Sequence, residues 1–392
     1  MKQKIISIIY ASFIIFIAAS VIYFPQTVLS ASKRGLEMWA GVVFPSLLPF
    51  FIVAELFIAF GVVHFIGVLC EPFMRPLFNV PGVGGFVWVM GMASGYPSGA
   101  KFTARLRQEG QLSQIEAERL VSFTNSSNPL FIIGAVAIGF FHDQQLGILL
   151  ALTHYISNFF VGICMRFYKK NEREHCIREP FSIKRAFQKL HQTRMKDKRP
   201  FGKILGDAVI HSIQTLLLIG GFIILFSVLI NIIQEVKLAL FFSHFIGVIL
   251  NFADLPKELA IPVLSGLFEI TLGAHEIALV EKSSMLMKAI VMSFILAFNG
   301  MSVQAQVASI LAETDIRFRP YFFARLIHGL ISCIVVIVLF QPIYQQKSAI
   351  HTFSQQGVNY LESSLDLLQA TGIPLTLMAL VIYFFLMFQQ KN

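Results

Sequence analysis

The chain has 392 residues, 56% hydrophobic and 14% charged, with a mean hydropathy of +0.70; a soluble domain carries about 25% charged residues, so this is the composition of an integral membrane protein. The net charge of +9 is concentrated, with 13 of the 31 Lys and Arg residues between Arg166 and Lys203 against four acids. Such a cluster beside an apolar segment marks a cytoplasmic loop, with anionic lipid as a second partner for it, and argues against nucleic acid.

An uncharged run, Ile5 to Phe24, follows Lys2 and Lys4. Its length favours a retained helix over a cleaved signal peptide, whose apolar core spans about 7–15 residues. Further spans are expected at Met38–Cys70 (interrupted by Glu55), Leu120–Phe141, Leu146–Met165, Ala208–Gln234, Ala289–Ala312, Leu326–Gln346 and Ala370–Gln390, giving about eight in all. Leu238–Ala253 is shorter and carries His244, which suits a helix lying along the interface. The four cysteines show no C-x-x-C pairing, so neither a disulfide framework nor a zinc site is expected.

The 24 residues from Leu77 to Ala100 are uncharged, yet glycines and Pro81 and Pro97 forbid one straight helix. Broken backbone at membrane depth is tolerated only where it is buried in protein or lines a watery cavity. A second interrupted segment, Phe268 to Glu276, carries Glu269, Thr271 and Glu276. Interrupted segments at matching places in two halves point to a transporter's binding site. Basic residues place the N-terminus, Arg75, Lys101 to Arg119, the Arg166–Lys203 loop and Arg317 to Arg325 inside, with Lys33 and Arg34 as exceptions. The first hairpin then enters from the cytoplasm and the second from outside. A constant offset of 174 residues matches Gly99-Ala100 to Gly273-Ala274, Asn125 to Asn299 and His154 to His328. The predicted fold is an all-α polytopic membrane protein of two inverted-topology repeats, each with a re-entrant hairpin and a broken transmembrane helix. Its parts are an N-terminal helix (1–30), a first repeat (38–168), a basic cytoplasmic loop (169–203), a second repeat (204–346), and an external loop with a last helix (347–392).

Polar residues inside apolar runs are the candidates for chemistry. Lys101–Phe123 reads as two short helices, with Ser113 to Glu116 a capping box. Beyond it, Asn125, Ser126, Ser127 and Asn128 precede Pro129, a helix start inside an apolar span whose free amides suit an anionic or carbonyl-bearing ligand. An ordinary interfacial cap is the competing explanation. Asn299, Ser302, Gln304 and Gln306 interrupt a second run, as a solute path or as interhelical hydrogen bonding. Glu269 and Glu55 are intramembrane carboxylates, each costing at least about 2.5–3.5 kcal/mol at membrane depth, and so candidates for coupling to Na+ or H+ or for binding solute hydroxyls. Glu276 suits the same role or simple exposure at the outer interface. His154 and His328 suit a helix–helix polar contact better than metal. No H-x-x-x-H, H-E-x-x-H or nucleophile elbow occurs, so neither catalysis nor a cofactor is expected.

The runs Phe44 to Phe51, Gly91 to Lys101 and Ser122 to Pro129 resemble the sporulation integral membrane protein YlbJ family of endospore-forming bacteria. The resemblance extends from about Phe24 to Pro342. It implies two Gate, or nucleoside-recognition, domains similar to the core of concentrative nucleoside transporters, coinciding with the two repeats. By that analogy Ser94, Tyr96 and Ser98, Asn125 to Asn128, Glu269 and Thr271, and Asn299 and Ser302 would line a site for a small polar, nucleoside-like solute. The implied setting is the mother-cell or forespore membrane, with both termini cytoplasmic and a role in building the spore envelope or cortex. The lipid bilayer and the solute are the expected partners, and the sequence leaves room for a homo-oligomer. A different class of function, a scaffold recruiting sporulation proteins through the basic loop, fits the same sequence.

Overall fold

The computed structural model describes residues 2–170 and 182–345. Among these the chain is helical throughout, with no strand. An almost wholly exposed apolar helix, α1 (Lys2–Tyr23), leads into α2 (Pro25–Met38), a π-helical stretch and α3 (Phe44–Ala59). Then come α4 (Val62–Phe78), the hairpin α5 (Val83–Ser94) and α6 (Ser98–Gln108), α7 (Gln114–Thr124), a π-helical segment over Leu130–Phe140, and α8 (Gln144–Met165). The basic loop carries α9 (Ile183–Lys196). The second half holds α10 (Phe201–Glu235), α11 (Leu238–Phe252), the hairpin α12 (Ala260–Phe268) and α13 (Ile270–Ala278), α14 (Met285–Phe298), α15 (Gly300–Leu311) and α16 (Phe318–Leu339).

Five of the described helices are long and apolar enough to cross a membrane, or seven spans if each sharply bent pair counts as one. The chain is a polytopic membrane protein. The expected span Ala370–Gln390, and with it the 347–392 segment, lies outside the described residues. Met38–Cys70 is not one span. Glu55 sits within α3, and the helix ends instead at Gly61, whose φ of +75° turns the chain into α4. The bent span is Pro25–Val43 with Leu47–Ala59, at 53°. Leu77 and Phe78 belong to α4, which meets α5 at 86°. Leu120–Phe141 is likewise broken, between α7 and the π-helical segment.

The termini are set by local chemistry. At α7, Ser113 Oγ accepts from Glu116 N (3.2 Å) and Glu116 Oε2 from Ser113 N (3.0 Å), the predicted reciprocal box. Asp143 caps α8 through Gln145 N and Leu146 N. Each hairpin closes on glycine. A Cβ on Gly99 would lie 2.3 Å from the Thr124 carbonyl, and one on Gly273 would lie 2.2 Å from Gly266 Cα, so both matched glycines are points of close backbone approach.

Adding 174 to the bounds of α8 gives those of α16, residue for residue, and the hairpins, the helix breaks, α4/α11 and α2–α3/α10 also correspond to within a few residues. Helices α8 and α16 pack against one another, His154 and His328 meeting with ring centroids 4.8 Å apart. The main apolar core lies around α3 to α8, where Phe78 stacks on Phe123 at 4.5 Å, and it extends to Val307 and Tyr321 of the second half.

Candidate functional site

A cavity of about 600 Å3 lies where both hairpin turns and both helix breaks converge. Its polar lining is Ser94 and Tyr96 at the first turn, Ser127 and Asn128 at the first break, Glu269 and Thr271 at the second turn, and Ser302 and Gln306 on α15. The rest of the lining is largely apolar and includes Met38, Val42, Val43 and Leu47, Leu130 and Phe131, and Ile219 and Ile223 of α10. Large apolar pockets with a few convergent polar groups are the usual form of small-molecule sites.

Local structure holds these groups in place. Gly95 ends α5 with φ +88°, and Asn128 donates from Nδ2 to the Ser94 carbonyl (2.8 Å), tying the first turn to the first break. Asn128 Oδ1 accepts from Phe131 N (2.7 Å), so the asparagine starts the helix that follows, as its place before Pro129 predicts. Tyr155 Oη donates to the Ser127 carbonyl (2.9 Å), and Ser127 N donates to His154 Nε2 (3.1 Å). On the other side Glu269 caps α13: Oε2 accepts from Leu272 N (2.8 Å) and from the Thr271 hydroxyl. Glu269 remains 8% exposed on the cavity wall. Glu276 faces Gln234 at 3.4 Å, away from the cavity.

Five predicted solute ligands lie behind the wall or off it. Asn125 and Asn299 are fully buried, and both donate from Nδ2 to one acceptor, the Tyr321 hydroxyl, at 2.7 and 2.8 Å. Gln304 Nε2 donates to the Phe298 carbonyl (2.8 Å), covering the end of α14. Ser98 and Ser126 are buried beside the first hairpin and break and do not line the cavity. Glu55 is also elsewhere: it pairs with Lys101 Nζ at 3.2 Å on the wall of a separate polar cleft shared with Arg105 and His211.

Gln306, part of the second polar run, and two groups that the sequence did not single out as site residues, Tyr321 and Arg325, complete the centre. Gln306 lines the cavity and donates weakly to Ser302 Oγ (3.4 Å). Tyr321 bridges the two breaks. Arg325, expected at the cytoplasmic flank, is 0% exposed and donates to the Asn125 carbonyl (3.1 Å), the Ser122 carbonyl and Asn158 Oδ1 (3.0 Å), with His328 Nδ1 at 3.1 Å. Spacing could have flagged both, since Arg325 and Tyr321 lie one and two turns before His328 on one helix face. Among the described residues no group of acids, histidines and cysteines has the arrangement of a metal site.

The family model described as Gate, nucleoside recognition, matches residues 40–143, which include the first hairpin and first break. The sporulation integral membrane protein YlbJ of Bacillus subtilis (strain 168) is 54% identical over 391 residues, covering 97% of this chain and 96% of that protein. No solved structure matches. With 54% identity extending over 97% of its length, the chain belongs to the sporulation integral membrane protein YlbJ family.

Proposed function

We propose that the protein acts in sporulation, in building the spore envelope or cortex, by moving a small polar solute of nucleoside-like character across the mother-cell or forespore membrane by alternating access. The observation that carries this is the convergence of two hairpin turns and two helix breaks on one cavity of about 600 Å3. Unwound backbone at membrane depth is costly and persists where it shapes a binding site. A largely apolar cavity with a few polar groups in its lining fits a solute that carries hydroxyl or amino donors and a flat apolar face, which a nucleoside has. Glu269 is the group suited to accept from solute hydroxyls or to carry a coupling proton. Glu55, paired with Lys101, suits a gate at the separate cleft. The correspondence at 174 residues, together with the distribution of basic residues, supports repeats of opposite topology and cytoplasmic termini.

A thermal-shift series on purified protein with nucleosides, amino acids and cell-wall precursors tests this. A true solute raises the unfolding temperature by mass action, about 2.7 kcal/mol of stabilisation at a hundredfold excess over Kd. Glu269→Gln should abolish the shift while the variant keeps its fold. No shift with any of these, or an equal shift in Glu269→Gln, overturns the proposal. The scaffold alternative has one observation in its favour: the basic loop carries a helix, α9, that packs on α4, Phe187 against Phe65 at 5.0 Å. Sporulation lost on deleting residues 171–181 but retained in Glu269→Gln would favour the scaffold.

A further inference from the structure

Arg325 is a fully buried guanidinium that meets no carboxylate among the described residues. A bare cation there would cost several kcal/mol, so its charge must be offset by dipoles. The dipoles are identifiable. Ser122 belongs to the last turn of α7, whose carbonyl end carries partial negative charge, and Asn125 lies in the unwound segment just beyond it. Arg325 Nη1 and Nη2 reach those two carbonyls, with Asn158 Oδ1 and His328 Nδ1 as further acceptors. Half-helix carbonyl ends and unwound carbonyls are also what broken-helix transporters use to hold a movable sodium ion.

The other carbonyl end is equally occupied. At α14 the Leu296 carbonyl accepts from Tyr96 Oη (2.5 Å) and the Phe298 carbonyl accepts from Gln304 (2.8 Å). Asn125 and Asn299 turn their amide groups to Tyr321.

We propose that Arg325 is a resident cation, filling the carbonyl-lined position at the first helix break that a coupling sodium ion would otherwise take, so that the protein neither binds nor depends on sodium there. The Ser122 and Asn125 carbonyls and Asn158 Oδ1, oxygens of the kind that dehydrate a monovalent ion, are already bonded to a guanidinium held by the chain itself. The Glu269 carboxylate stands apart from this position, on the cavity wall and on the other hairpin.

The test uses the full chain in lipid nanodiscs at constant ionic strength, with sodium replaced stepwise by N-methylglucamine, with and without added nucleosides. The unfolding temperature of the unsubstituted protein should stay within about 1 °C across the series, because an ion that does not bind cannot stabilise by mass action. Arg325→Ala should unfold several degrees lower and recover part of the loss with methylguanidinium or sodium, and Arg325→Lys should lose less. A sodium-dependent rise in the unsubstituted protein overturns the proposal, as does an Arg325→Ala protein of full stability with no response to either cation. Should Arg325→Ala not fold, the sodium titration of the unsubstituted protein decides alone. The proposal rests on the transporter-like reading only for the word coupling. The titration needs no solute, so absence of any nucleoside effect bears on the proposed function and leaves the sodium result to stand by itself.

Discussion

A single hydroxyl joins the two halves of the molecule. Tyr321 Oη accepts from Asn125 and Asn299, residues 174 apart that the sequence marks as polar interruptions of apolar runs. Their polarity and matched spacing were legible, and so was the presence of a helix break at each. That they satisfy one another's break through a tyrosine was not, because a side chain on a following span carries no mark of how deep it lies. Arg325 shows the same limit: basic residues near a helix start read as cytoplasmic by composition, yet α16 begins at Phe318 and carries this one into the interior. Tyr321→Phe removes an acceptor from two buried amides, each unsatisfied group costing about 1–3 kcal/mol. The variant should therefore unfold several degrees below the parent in a detergent thermal scan, and Asn125→Ala in the same background should add little, since the partner is already gone.

Hairpins and breaks were the legible elements, because glycine and proline state where a helix cannot continue. Leu77–Ala100 and Phe268–Glu276 both contain the turn they predict. Less legible was the run Met38–Cys70, whose turn at Gly61 hides in a mostly apolar sequence, since hydropathy alone cannot distinguish a span from a helix that turns back. The fit of the first hairpin is tight enough to test. Alanine at Gly99 would set its Cβ 2.3 Å from the Thr124 carbonyl, a backbone atom that cannot rotate away. Gly99→Ala should cost at least about 1–3 kcal/mol, the range for overpacked interiors. Alanine at Gly110, where nothing lies within 4 Å, should pay only for its positive φ. Comparing the two thermal midpoints separates contact from backbone strain.

At the scale of the whole molecule, the halves are pinned together near one end by charge as well as by packing. Glu118 of α7 accepts from the Arg317 guanidinium (2.7 and 3.1 Å), and Arg107 of α6 forks onto Asp315 (2.8 and 2.7 Å). Hydrogen bonding to Arg107 holds the Asp315 carboxyl below its ordinary value. A folded value below the unfolded one means the contact stabilises above the unfolded value of about 4 and is lost as the pH falls through the folded value. Asp315 is half exposed, so the effect is at most about 1 kcal/mol and is screened by salt. Asp315→Asn should unfold slightly below the parent at pH 7 and low salt, and the difference should vanish on acidification or at high ionic strength.

The residue-for-residue match of α8 to α16 sets Gly147 opposite Tyr321 and Ala151 opposite Arg325. Two identical half-length chains assembled side by side could not produce this centre. They would offer a pair of tyrosines where one fits between the asparagines, and a pair of guanidinium groups repelling each other in the interior. Joining both halves in a single polypeptide lets one copy keep a large group while the other shrinks to glycine or alanine. A single hydroxyl and a single charge can then occupy the place where near-equivalent halves touch.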